Sequence, residues 1–138
     1  MGDRDFRFKL DCAPRDVTPK ALSQAVSAFA RILSAADASD WRISHMELHS
    51  IDLAAKPVVV DERTERSFAT LDTITRLATR DDVSRDEAFR FSGVFSALSD
   101  LAKETNANIT VSSHEAEGTF TPGVLTGINR LLIRGSRR

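Results

Sequence analysis

An α+β fold, with about three helices packed on one face of a mixed sheet, is what three features of this sequence predict. Residues 5–11 (DFRFKLD) alternate apolar and polar, which puts Phe6, Phe8 and Leu10 on one face of a half-buried strand. Residues 84–105 (SRDEAFRFSGVFSALSDLAKET) carry a start signal, a stop signal and an apolar stripe at helical spacing. Between them, residues 41–60 are rich in Ile, Leu and Val without a single glycine and read as two strands. Runs of strand and helix in this order predict helices gathered on one side of a sheet, β-α-β-β-α-α-β with a possible final strand.

The stretch 84–105 reads as the central helix. Ser84 and Glu87 have capping-box spacing, each side chain taking a backbone N–H of the first turn. At 100° per residue Ala88, Phe91, Val94, Phe95, Leu98, Leu101 and Ala102 share one face. The opposite flank holds Phe89, Ser92, Gly93, Ser96 and Ser99, mostly small residues that let a second helix or a partner chain approach. Asn106 or Asn108 ends the helix, since asparagine tolerates the left-handed conformation.

The remaining elements follow in order. Thr18 before Pro19 is an N-cap followed by an N1 proline, starting a helix whose stripe is Leu22, Val26, Phe29 and Leu33, flanked by Ala25, Ile32 and Ala36, and running to about Ala38. In 41–60 the alternation changes phase, which predicts a bulge near Ser44 and His45 or a sheet covered on both sides. Two strands, about 41–48 and 51–60, are joined at His49-Ser50, with Pro57 at an edge or irregularity. Asp61-Glu62-Arg63 reads as a break, after which Thr64 or Ser67 caps a helix bearing Phe68, Leu71, Ile74, Leu77 and Ala78, with Asp72 and Arg76 paired on its exposed side. Residues 109–113 make a short strand and 115–118 a turn. In the last segment Gly123, Gly127 and the β-branched residues favour a strand over the helical spacing of Val124, Ile128 and Leu131.

Length and composition set the function classes. At 138 residues, 41% hydrophobic and 28% charged, the chain has the size and composition of one ordered domain, 1–138, that needs no disulfide. The single cysteine, Cys12, excludes an internal disulfide and every Cys-x-x-Cys metal motif and fits a reducing, cytoplasmic setting. No signal-peptide run and no apolar stretch of about 18 residues occurs, so no membrane association is expected. The net charge is -1, yet no acidic residue follows Glu117 while Arg130, Arg134, Arg137 and Arg138 do, leaving -1 minus 4, or -5, on residues 1–117. These four arginines are the candidate anion or nucleic-acid contact, on a basic end expected to fray from about 134.

For chemistry the candidate is His45-Met46-Glu47-Leu48-His49, where a regular strand puts His45, Glu47 and His49 on one face. At about 3.3 Å per residue the two histidines stand about 13 Å apart, too far for one zinc ion. A His45–Glu47 pair could share an ion, with His114 completing the site if its strand lies beside this one. His45-x-Glu47 is half of the zinc deaminase signature, but the Pro-Cys-x-x-Cys half cannot exist here. No nucleophile elbow, Walker loop or dinucleotide fingerprint is present, and no cofactor is expected.

The residues therefore point to a small non-enzymatic protein-interaction module, an adaptor, an inhibitor or antidote-type subunit or a component of a larger assembly, binding another protein or itself through Phe89, Ser92, Gly93 and Ser96. A nucleic-acid-associated factor using the basic end, and a metal-dependent enzyme using His45, Glu47 and His114, are the alternatives.

Overall fold

A computed structural model describes residues 4–79, 83–113 and 116–136 of the chain. The elements are β1 (Phe6–Asp11), a 3-10 turn (Pro14–Asp16), α1 (Pro19–Ala35), β2 (Arg42–Glu47), β3 (Asp52–Lys56), α2 (Glu62–Leu77), α3 (Arg85–Arg90), α4 (Ser92–Thr105), β4 (Asn108–Ser112), β5 (Glu117–Phe120) and α5 (Pro122–Ser136). The α+β class holds. The strands form one sheet in the order β2-β3-β1-β4-β5, and every neighbouring pair is antiparallel, so the sheet is not mixed.

Along β1, Phe6, Phe8 and Leu10 are buried and Arg7, Lys9 and Asp11 exposed, as the alternation requires. The register carries that division across the sheet. Phe8 lies between Leu53 and Val111, and Leu10 opposite Ile109, all buried on the face the helices cover. Phe29 of α1 sits over β1, its ring centroid 6.0 Å from those of both Phe6 and Phe8. Phe95 of α4 meets Phe120 of β5 edge to face at 6.1 Å.

Thr18 caps α1 through its side chain, accepting from the Ala21 N–H, with Pro19 in the first turn. The helix ends at Ala35 rather than Ala38. Asp37 adopts a left-handed conformation (φ 55°), the Ala38 N–H reaches the Leu33 carbonyl and the Asp37 N–H the Ser34 carbonyl, which is a Schellman closure with aspartate in the usual glycine position. Its buried face is Ala21, Ala25, Ala28, Phe29, Ile32 and Leu33, whereas Val26 is exposed. The stripe is rotated toward the alanines because α1 packs lengthwise on α4, and small residues permit that approach.

The central helix is two helices. All seven residues of its stripe are buried, yet the backbone breaks at Phe91 (φ -112°, ψ 27°), between α3 and α4. Phe91 still donates its N–H to the Glu87 carbonyl and accepts from Phe95, so the break is local and the stripe stays in register. Asn106, at φ 52°, ends α4. The final segment is a strand only over Glu117–Phe120 and then a helix, α5, started by Thr121 and Pro122; Thr121 accepts the Val124 N–H through its hydroxyl. α5 packs on α3 and α4. Among the described residues no helix is long and apolar enough to cross a membrane.

Candidate functional site at the open edge of the sheet

The small-residue flank of the central segment borders α1 and α5, with Ser99 buried and Ser92, Gly93 and Ser96 exposed. Ser92, Gly93 and Ser96 line a shallow polar groove with Arg31 of α1 and with Asp100, Lys103 and Asn129. A methyl group at Gly93 would lie 3.5 Å from the Arg31 guanidinium, ordinary contact distance, so a side chain of α1 reaches the rim of this flank while Ser92, Gly93 and Ser96 stay exposed. α5 takes the other side, where Asn129 Nδ2 donates to the buried Ser99 hydroxyl at 2.7 Å. Phe89 does not join this groove. It lies on α3, across the break, and is 44% exposed. Arg130 is exposed on α5 and Arg134 lies in the same helix; Arg137 and Arg138 fall outside the described residues.

The larger concentration of exposed apolar surface is at β2, which pairs with β3 alone among the strands and is exposed at all six positions. Its register slips by one between Ile43 and His45, so Ser44 is the extra residue of a bulge. That slip sorts the side chains. Ile43 and Met46 stand opposite Ala55 and Leu53, two buried residues on the helix-covered face, and residues opposite each other in an antiparallel pair share a face. Both nonetheless remain 53% exposed, because the helices do not extend over this edge. Leu48 in the following turn is exposed, as are Val58, Val59 and Val60 beyond the other end of β3.

Val58 and Val59 also border a cleft of about 220 Å³ with Trp41 and the start of α2. Asp61 is the true N-cap of α2: its carboxylate accepts from the Thr64 N–H at 3.1 Å and the Thr64 hydroxyl accepts from the Asp61 N–H at 3.2 Å, a reciprocal box. The Thr64 N–H bond holds the Asp61 carboxyl below the ordinary aspartate range, aided by the Thr64 hydroxyl and by Arg63. Arg63 in turn donates to Asp37 and Asp40, and these two carboxylates raise its pKa. Cys12 is half-buried, and burial followed by the charges of Asp16 and Asp11 raises its pKa, which disfavours the thiolate.

On the other face of β2 the structure brings together two of the three residues that the sequence aligned. His45 lies opposite Ala54 and Glu47 opposite Asp52. His45 Nε2 is 3.9 Å from Asp52 Oδ2 and 4.0 Å from Glu47 Oε2. His49 sits in the turn beyond β2 and takes no part in the cluster. His114 lies outside the described residues, and β4, which leads toward it, is separated from β2 by β3 and β1, so the strands are not neighbours. Asp52 was the missing member. A hairpin turning at His49-Ser50 pairs residues whose numbers sum to 99, and that sum places Asp52 across from Glu47.

No protein-family model matches the chain, and no curated protein or solved structure matches it significantly. The functional reading therefore rests on the residues themselves.

Proposed function

We propose that this chain is a small non-enzymatic protein-interaction module, an adaptor, inhibitor-type subunit or assembly component working in the cytoplasm, and that it receives another protein or a second copy at the β2 edge. The observation that carries the proposal is the exposure of Ile43 and Met46 on the core side of an edge strand. Isolated exposed apolar residues need no explanation, but here Leu48 continues the patch in the turn after β2 and Val58 to Val60 add an apolar run beyond the far end of the hairpin. An edge strand also presents unpaired backbone groups, so main-chain pairing and apolar contact are available to an incoming strand together. The bulge at Ser44 and the charges of Arg42 and Glu47 oppose indiscriminate pairing, which leaves selectivity to the shape of the apolar row. A single cysteine is in keeping with a reducing compartment.

The test is the double variant Ile43→Lys, Met46→Lys, both at exposed positions where folding tolerates charge. Wild-type chain purified at low salt sediments as a complex with itself or with a co-purifying protein, and the double variant loses that species while keeping its circular dichroism spectrum. A wild type that sediments as a lone monomer, or a double variant that retains the same companions, refutes the reading.

A further inference from the structure

The cluster on the opposite face of β2 has the composition and spacing of an incomplete metal-binding site. One imidazole nitrogen and two carboxylate oxygens, from His45, Glu47 and Asp52, all lie within 4.8 Å of one another. They come from two directly paired strands, so the sheet register and not a mobile loop sets their separation. Zinc bonded tetrahedrally at about 2.0–2.2 Å holds its ligand atoms about 3.3–3.6 Å apart. His45 stands 3.9 and 4.0 Å from the two carboxylates, and the three ligand atoms lie within 4.8 Å of one another, so the set must contract by up to about 1 Å, a movement that rotation of exposed side chains can supply. An octahedral ion of the magnesium type, with bonds of about 2.0–2.1 Å at right angles, needs its ligands about 3 Å apart and favours all-oxygen donors.

Electrostatics points the same way. Glu47 and Asp52 face each other across the ladder, and like charges directly opposite are destabilising unless a cation stands between them. Lys9 lies opposite Asp52 on the β1 side, with Arg7 on the same face opposite Ala54. A divalent ion held between the two carboxylates relieves that repulsion, and the imidazole nitrogen beside them completes a mixed nitrogen and oxygen donor set.

We infer that His45, Glu47 and Asp52 bind one divalent transition-metal ion of the zinc type at the open edge, leaving its fourth position to water or an incoming ligand. The site is distinct from the apolar face used in the interaction reading, because the two sets of side chains leave β2 in opposite directions. Each assignment stands or falls by its own measurement.

The experiment is a zinc titration of the full chain by calorimetry near pH 7.5, with His45→Gln, Asp52→Asn, Glu47→Gln and the nearby control His49→Gln. One ion per chain is expected, with affinity reduced at least tenfold in each of the three cluster variants, unchanged in His49→Gln, and undiminished by an excess of magnesium. Imidazole resonances of His45, followed by NMR in the same titration, shift and saturate at one equivalent while those of His49 do not. No saturable zinc binding by the wild type, equal loss in His49→Gln and His45→Gln, or displacement by magnesium at comparable concentration overturns the assignment.

Discussion

Replacing Gly118 by alanine tests the close approach of β5 to the backbone of α2. An added Cβ would lie 2.4 Å from the Thr75 carbonyl oxygen and 2.9 Å from Ala78 Cβ. The first distance is 1.0 Å inside the 3.4 Å at which ordinary contact begins, and the obstructing atom is backbone in the middle of α2's last turns. No rotamer relieves it, so α2 must lift from β5 or β5 must bow outward. Overpacking a well-filled core costs about 1–3 kcal/mol, and a clash with backbone belongs at or above the top of that range. With about 2.1 cal/mol/K of unfolding entropy per residue, a 138-residue chain has about 0.29 kcal/mol/K, so a loss of about 3 kcal/mol lowers Tm by about 10 °C. Gly127→Ala is the matched control: the same added methyl meets nothing within 4 Å on α5, and removing a helical glycine stabilises by about 0.5–1 kcal/mol, or about 2–3 °C. Urea unfolding followed by circular dichroism measures both. If Gly118→Ala falls within about 0.5 kcal/mol of wild type, the α2–β5 packing described above is wrong.

Two further substitutions probe polar groups. The Thr75 hydroxyl is buried with no hydrogen-bond partner among the described residues, so Thr75→Val, which keeps the shape and removes the unmet polar atom, is expected to raise stability by about 1 kcal/mol; a loss of that size would show that the hydroxyl is satisfied. Asp61, whose folded pKa is depressed by the Thr64 N–H, contributes stability that is fully present above its unfolded pKa and is lost as the pH falls through the folded one. Asp61→Asn keeps a capping oxygen without the titration. The difference in Tm between the two proteins is therefore constant near neutrality and shrinks as the pH falls below the ordinary aspartate value of about 3.9, and a gap that ignores pH would remove Asp61 from the cause.

Local signals in the sequence were accurate where a side chain acts on its own backbone. The Ser84–Glu87 box, the Thr18-Pro19 start, the asparagine stop at Asn106 and the bulge near Ser44 all occur where the residues place them. The start of α2 was masked by its charge: Asp61-Glu62-Arg63 looks like a polar break, although an aspartate followed by glutamate is itself a helix start that the N-terminal dipole favours. At the chain's end Thr121-Pro122 repeats the Thr18-Pro19 signal and starts α5 in the same way. Gly123 and Gly127 obscured it, because their cost to a helix is outweighed by burial of Leu125 and Ile128. The break at Phe91 stands directly before Ser92-Gly93, a serine–glycine pair of the kind at which helices kink, although those residues also fit a continuous small-residue flank. Phe91 is buried beneath the Arg90 guanidinium, which lies 4.6 Å from the ring centroid, and tertiary packing on both sides holds the stripe together across it.

The candidate site depended on a step between local and global information. In a regular strand Ile43, His45 and Glu47 would share one face, mixing an apolar side chain with the two ionisable ones. The extra residue at Ser44 shifts Ile43 to the side of Met46 and leaves His45 beside Glu47. The phase change visible from Trp41 to Leu53 announces that shift but does not say which face the helices cover. Pairing decides it, since Leu53 and Ala55 of β3 join the core under the helices, whereas Ala54, also buried, and Asp52 lie on the other side of the same strand. Once the hairpin is closed, a single inserted serine divides β2 into an exposed apolar face and a polar face on which a histidine and two carboxylates converge. A bulge at an exposed edge therefore does more here than discourage pairing: it separates two kinds of chemistry that six consecutive residues could not otherwise keep apart.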